Sequence, residues 1–288
     1  MNFEQFLQKK GILPKTIARQ KREVKKYRNW LSINGKLVEN IAKKDLLDYL
    51  QHIKQKRNLA NTTQNNILQM LKNYHAYLTQ TLGIDNITQL IKIRGTERKQ
   101  LKPLFTPDEL DLLCDDYFYF VKDYKPSKRE LNFYPDYQTI LQGRYIALSL
   151  IAYQAIQPNE ILALKKSDFD IRKATVTIHE NRRGASRILS LNTSQIGVII
   201  QYFAENDKPI ILNHNHFEHI NKFFKKSHSK YVDFRQIRAS VITNWIKIYG
   251  LRKAQYFAGH KYISGTERFI AYDFETLQND FDNFHPLN

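Results

Sequence analysis

Cysteine is nearly absent from this 288-residue chain. Cys114 stands alone, so no disulfide can form within it. Long apolar runs are missing as well: no uninterrupted stretch reaches the ~18 residues of a membrane-spanning helix. The first residues, Met1-Asn-Phe-Glu-Gln-Phe, lack the basic-then-apolar order of a secretory leader. A cytoplasmic protein is the expectation. Acidic residues are the third shortage, 28 Asp+Glu against 45 Lys+Arg, for a net charge of +17. Apolar material is not short, at 42% hydrophobic and 12% aromatic, which excludes wholesale disorder and allows real cores. A surplus of positive charge on a folded chain is relieved most readily by a polyanion, and nucleic acid is the commonest one in cells. An anionic membrane surface is the rival, but it needs a basic helix whose apolar face is exposed.

The charge is unevenly placed. Residues 1–95 hold 18 Lys+Arg and 6 Asp+Glu, whereas residues 96–288 hold 27 and 22. Between them Arg94-Gly95-Thr96-Glu97-Arg98-Lys99-Gln100-Leu101-Lys102-Pro103 is polar, carries a Gly and a Pro and has no apolar period. The sequence therefore divides into a helical domain over 1–95, a linker over 96–104 and a mixed domain over 105–288.

In the first domain, Ile17, Val24, Tyr27 and Leu31 recur at helical spacing behind Pro14, a favoured first-turn residue. Lys15, Arg19, Arg22 and Lys26 follow the opposite face. A core stripe backed by a basic stripe, with no acidic partner interrupting it, points to phosphate contact rather than a merely solvated surface. The same backing argues against membrane binding. Further helices are predicted over 3–10, 43–56 and 61–82, the last capped by Asn61, Thr62 or Thr63 and ended by Gly83. In the second domain Thr106 and Pro107 start a helix, and 145–156 is a helix buried nearly all round. Strands fall at 174–179 and 187–191 across the turn Asn181-Arg182-Arg183-Gly184. Residues 121–142 fit neither period. The fold class is mostly α with a small β-sheet.

Three motifs carry chemistry, in this order: Gln157-Pro-Asn-Glu160-Ile-Leu-Ala-Leu164 with Asp168-Phe-Asp170, then Arg235-Gln-Ile-Arg238-Ala-Ser-Val-Ile-Thr243, then Ala258-Gly-His260-Lys-Tyr-Ile-Ser-Gly-Thr-Glu-Arg268-Phe269. Together with the helical module, the linker and Leu104-Phe-Thr-Pro-Asp-Glu-Leu110, they resemble the tyrosine recombinases, or phage-type integrases, over almost the whole chain. The resemblance implies a four-helix SAM-like core-binding domain followed by an α/β catalytic-type domain. It also implies a reaction in which a tyrosine attacks a DNA phosphodiester, two arginines hold the phosphate, and lysine- and histidine-type groups move protons. The physics requires such a set. Charge gathers on the phosphoryl oxygens in the transition state, where planar guanidinium donors stabilise it, and a phenol titrating near ~10 must lose its proton as it attacks.

Carried over residue by residue, several of these roles are unfilled. The family's first arginine falls on Gln157, which supplies no charge. The histidine of its His-x-x-Arg motif falls on Arg235, a permanent cation and no base. Its second arginine is kept as Arg238, and its Gly-His as His260. The hairpin lysine falls on Arg182 or Arg183. The nucleophile's position holds Phe269, which has no hydroxyl. Tyr272, three residues on, is the remaining candidate nucleophile, although helix geometry sets it about 4.5 Å farther along.

Plainer roles compete at some of these residues. Arg238 has Asp233 or Glu160 as a candidate structural partner, and His260 can simply pack beneath a helix start. His214, His216 and His219 have metal-like spacing without a supporting cluster. No metal and no cofactor are expected. The tail places Phe274, Leu277, Phe281 and Phe284 on one face of an acidic helix over 274–284, which in the resembling family docks on a neighbouring protomer; docking on its own domain is the alternative. The expected function is that of a catalytically defective recombinase. It would grip double-stranded DNA between its two domains and pair through the tail with itself or an active relative, in recombination or integration of a mobile element. The alternatives are an active recombinase using Tyr272 and a DNA-binding regulator built on the same clamp.

Overall fold

The computed structural model describes residues 1–89, 91–93, 103–182, 184–205, 210 and 212–270. It separates into two compact units, Met1–Lys99 and Gln100–Asn288. The expected linker lies largely outside the described residues, as do Arg183, Tyr272 and the whole of the helix expected over 274–284. No helix among the described residues is long and apolar enough to cross a membrane.

The first unit is built from α1 (Phe3–Lys9), α2 (Pro14–Ile33), α3 (Lys43–Arg57) and α4 (Asn61–Leu82). The stripe Ile17, Val24, Tyr27 and Leu31 is buried as its period requires. Val24, Tyr27 and Leu31 meet Leu46, Leu50, Ile67, Leu71 and Tyr74 in one apolar cluster, while Ile17 packs with Phe6 and Leu7 of α1. Lys15, Arg19, Arg22 and Lys26 are all exposed. Two sequence expectations need correction. None of Asn61, Thr62 and Thr63 caps α4: its N-cap is Ala60, without a side-chain hydrogen bond. The basic stripe does have an acidic neighbour, because the Glu23 carboxylate lies 2.8 Å from Lys26 and 3.2 Å from Arg57. Gly83 ends α4 in the left-handed conformation, as predicted.

The second unit contains α5 (Pro107–Asp123), α6 (Lys128–Phe133), α7 (Tyr137–Gln154), α8 (Pro158–Ile161), β1 (Phe169–Asp170), β2 (Thr175–Ile178), β3 (Arg187–Ser190), α9 (Thr193–Glu205), α10 (His214–Ser227), α11 (Phe234–Ala258) and α12 (Ser264–Glu267). Thr106 caps α5 as expected: its hydroxyl accepts from the Glu109 N–H and the Glu109 carboxylate accepts from its own N–H at 2.8 Å. The unassigned stretch 121–142 is the end of α5, the short α6 and the start of α7. That last helix begins eight residues before the sequence expectation, because its first turns, around Tyr137 and Ile140, are already buried. Instead of a hairpin alone there is a three-stranded antiparallel sheet in the order β1-β2-β3, with Val176 opposite both Phe169 and Leu189. Along β3 the pleat buries Arg187 and Leu189 and exposes Ile188 and Ser190. A charge faces inward where an isoleucine faces water, the reverse of the usual alternation.

One break in α11 arranges the site. Gly250, at φ 77 and ψ 167, is not helical, so the element is two helices joined at a kink. Arg238 lies before the kink and Ala258 after it, and the Arg238 Nη2 donates to the Ala258 carbonyl at 2.7 Å.

Candidate functional site

Four segments converge: the Gln157–Glu160 corner at α8, the turn between β2 and β3, the first half of α11, and the loop from Gly259 into α12. The corner is fixed by Glu160, whose carboxylate accepts the Gln157 backbone N–H at 2.9 Å. Both its oxygens also accept from Arg187, Nη1 to Oε1 and Nη2 to Oε2, each at 2.9 Å. This fork is buried on both sides. Burial raises the Glu160 carboxyl, but the hydrogen bonds and charge of Arg187 outweigh it and hold the group below the ordinary carboxylate range. Glu160 is therefore the hydrogen-bonded partner of Arg187, and among the described residues it reaches Arg238 only through its charge. Asp233, the other candidate, caps α11 by accepting from the Arg235 and Gln236 N–H groups.

Arg187 also shapes the third motif. Gly259 has φ +69, and a Cβ there would stand 2.3 Å from Arg187 Nη1, so only glycine lets this backbone lie on the guanidinium. The loop is stitched to the hairpin by the Ala185 N–H, which donates to the Gly259 carbonyl at 3.0 Å, and by a β-bridge between Gly184 and His260. The turn itself closes through the Asn181 N–H to the Gly184 carbonyl at 3.0 Å, and it presents Arg182 exposed to solvent.

Arg238 is half-buried. Its Nη2 holds the Ala258 carbonyl and faces His260 Nε2 at 3.5 Å, while its Nη1 is shielded from water and has no hydrogen-bond partner among the described residues. Burial lowers this guanidinium to about 10, which leaves it charged at neutral pH. An unpaired buried N–H on a cation carries a desolvation cost of at least ~1–3 kcal/mol, which an anionic oxygen removes. His260 is pushed down to about 4, first by burial and then by the charges of Arg238, Arg268 and Arg187. It is therefore neutral at pH 7. A guanidinium offers no acceptor, so Nε2 is the lone-pair nitrogen and Nδ1 carries the proton, donating to Thr266 Oγ1 at 2.8 Å.

Phe269 is buried and stacks on the His260 ring, with centroids 5.9 Å apart and planes 7° from parallel. The Arg268 guanidinium lies 5.1 Å from its ring centroid. A bare phenyl ring thus sits beside the imidazole. The structure brings Arg238, His260 and Phe269 together, with Arg182 on the turn bridged to His260. Gln157 and Arg235 are exposed at the margin. Arg183 and Tyr272 lie outside the described residues. Of the basic stripe in the first unit, Lys15, Arg19 and Arg22 have no ion pair among the described residues, whereas Lys26 is held by Glu23. His216 is buried, with Nδ1 accepting the Asn213 N–H at 3.1 Å. Among the described residues no group of three or more His, Cys, Asp and Glu could hold a metal ion.

Arg187 was missed by motif reading. The one signal for it was the alternation of Arg187-Ile188-Leu189-Ser190, which at period two puts the arginine on the same face as Leu189.

Comparison with known proteins agrees with this construction. The family model described as phage integrase, N-terminal SAM-like domain, matches residues 1–81. The TnP I resolvase of Bacillus thuringiensis is 22% identical over 279 residues, covering 92% of each chain. Among solved structures, XerH site-specific recombinase bound to a palindromic difH substrate superposes with a TM-score of 0.66 at 16% identity, over 92% of this chain and 78% of that one. The Tn1549 transposon integrase in complex with a circular intermediate DNA gives 0.63 at 15% identity, over 93% and 95%. A lambda integrase dimer bound to a COC' core site gives 0.61 at 14%, over 93% and 74%. Residues 1–81 are accordingly a phage-integrase SAM-like domain, and the chain carries the tyrosine recombinase fold.

Proposed function

We propose that this protein binds duplex DNA through its phosphates and acts in DNA recombination or integration of a mobile element as an accessory subunit that does not itself cleave DNA. Residues 1–95 serve as the core-binding domain and 105–288 as the catalytic-type domain. Phosphate is gripped by Arg238 and Arg182 on one unit and by Lys15, Arg19 and Arg22 on the other, with Lys26 and Arg183 beside them. Support comes from the solved neighbours, several of which are DNA complexes, and from the buried, unsatisfied Arg238 Nη1. The observation that carries the absence of cleavage is Phe269 stacked on His260. Phe269 has no oxygen with which to form a phosphate ester, and at the Arg235 position a guanidinium cannot take up a proton. The segment 274–284, with its Phe274, Leu277, Phe281 and Phe284, supplies the contact to another recombinase protomer.

The test is a suicide substrate, a nicked recombination site offered to the protein alone and with a competent homologue. No covalent adduct on this chain is expected under either condition. An adduct that vanishes in Tyr272→Phe would establish the alternative, an active recombinase with a displaced nucleophile. Site binding without any effect on a homologue's recombination would favour a regulator.

A further inference from the structure

The face of α4 has a composition that packing does not explain. Asn61, Gln64, Asn65, Asn66, Gln69 and Asn73 crowd the helix, which carries no acidic residue over Asn61–Leu82 and a single lysine, Lys72. Asn is a weak helix former, and an exposed helix face is ordinarily filled with Glu, Lys or Ala. Three of these carboxamides are committed to the fold: Gln64 donates to the Leu50 carbonyl at 2.8 Å, Asn65 to the Ile93 carbonyl at 3.4 Å, and Asn73 to Gln20 of α2 at 3.2 Å. Asn66 and Gln69 are different. Both are exposed, and neither side chain has a hydrogen bond among the described residues. They share a face with Asn73, so their stripe runs toward the seam with α2, the helix that carries Lys15, Arg19 and Arg22. Lys72 and Lys92 line the same groove.

We propose that Asn66 and Gln69 read adenines in the major groove, making α4 the element that selects an A·T-containing binding site. A carboxamide is the side chain that matches adenine, donating to N7 and accepting from the N6 amino group. Three helical residues advance about 4.5 Å along the axis, close to the base-pair step of about 3.4 Å, so the two groups reach neighbouring or next-neighbouring pairs. The basic side chains of α2, with Lys72 and Lys92, hold the backbone and set the register. This inference rests on the duplex-binding reading above and names the sequence class that reading leaves open.

The full-length protein is used to select sites from a randomised duplex pool, and the same is done with Asn66→Ala, Gln69→Ala, Gln69→Arg and, as a phosphate-contact control, Arg22→Ala. Circular dichroism confirms that each variant is folded. Enriched sites are expected to carry two adenine positions. Each alanine variant should lose discrimination at one of them by roughly 5- to 150-fold, with affinity for unselected duplex changed less than about twofold. Gln69→Arg should move its position from adenine to guanine, and Arg22→Ala should weaken all sequences alike. Duplex binding with site preferences that none of the α4 variants alters would overturn the inference and leave the functional reading standing. Failure to bind duplex at any salt concentration would overturn both.

Discussion

Arg187 shows what motif reading misses at the scale of a residue. Gln157, Arg235, Arg238, His260 and Phe269 could each be found in the sequence because they sit in short motifs of fixed spacing. Arg187 could not, because its partner Glu160 is 27 positions away and only the sheet brings them together. Removing one member of a buried pair strands the other charge, so Arg187→Ala should cost about 3–5 kcal/mol, read as a lowered denaturation midpoint. Arg187→Lys keeps the charge but not the fork and should recover only part of that loss. A second prediction concerns protons. His75, His216 and His260 are each pushed down to about 4, with burial the leading cause in all three. Unfolded, they take up protons near ~6.5. Between those values the unfolded chain binds more protons, and stability falls as pH drops through that window. Denaturant melts at pH 7 and pH 5 should show the lower midpoint at pH 5, and His75→Gln should shrink the difference.

Among the elements, those legible in the sequence were the ones that announce their own ends. The core-facing period of α2 and the Thr106-Pro107 start of α5 needed no tertiary information, and Thr106→Ala should lower stability by about 1 kcal/mol. The start of α7 was hidden because its composition disguises its buried face: Gly143, a weak helix former, and Arg144, a charge, are buried beside Ile140, Leu141 and Tyr145, while Gln138 is exposed. The two residues of β1 are too few to show any period; pairing with β2 alone defines them. The head of α4 defeats the local capping preference, since the helix starts from Ala60 and takes the Asn-Thr-Thr that follows into its first turn. In the loop after α11, Gly259→Ala forces a Cβ onto the Arg187 guanidinium from a left-handed backbone. It should destabilise by at least ~1 kcal/mol and release His260. The imidazole resonance, followed by nuclear magnetic resonance, should then titrate closer to its ordinary value.

For the whole molecule, charge matters more than any one contact. With a net charge of +17, binding to duplex DNA should weaken steeply with salt, log K falling against log salt with a slope of about −0.9 per neutralised phosphate. Lys15→Ala, Arg19→Ala and Arg22→Ala should each flatten that slope by about one, whereas Lys26→Ala, already neutralised by Glu23, should change it little. The cationic surplus and the two-part organisation were visible in composition; the loss of Lys26 was legible too, as Glu23 stands three residues before it on α2, whereas the contact of Glu23 with Arg57 of α3 needs the fold. A last consequence concerns Gly250. Along an unbroken rod, Arg238 and Ala258 would stand about 30 Å apart, yet they touch through a hydrogen bond of 2.7 Å. The proposed anion pocket therefore exists only while one backbone torsion, at Gly250 between the two halves of α11, stays folded back. A β-branched side chain at that elbow would unmake the pocket without altering a single group that lines it.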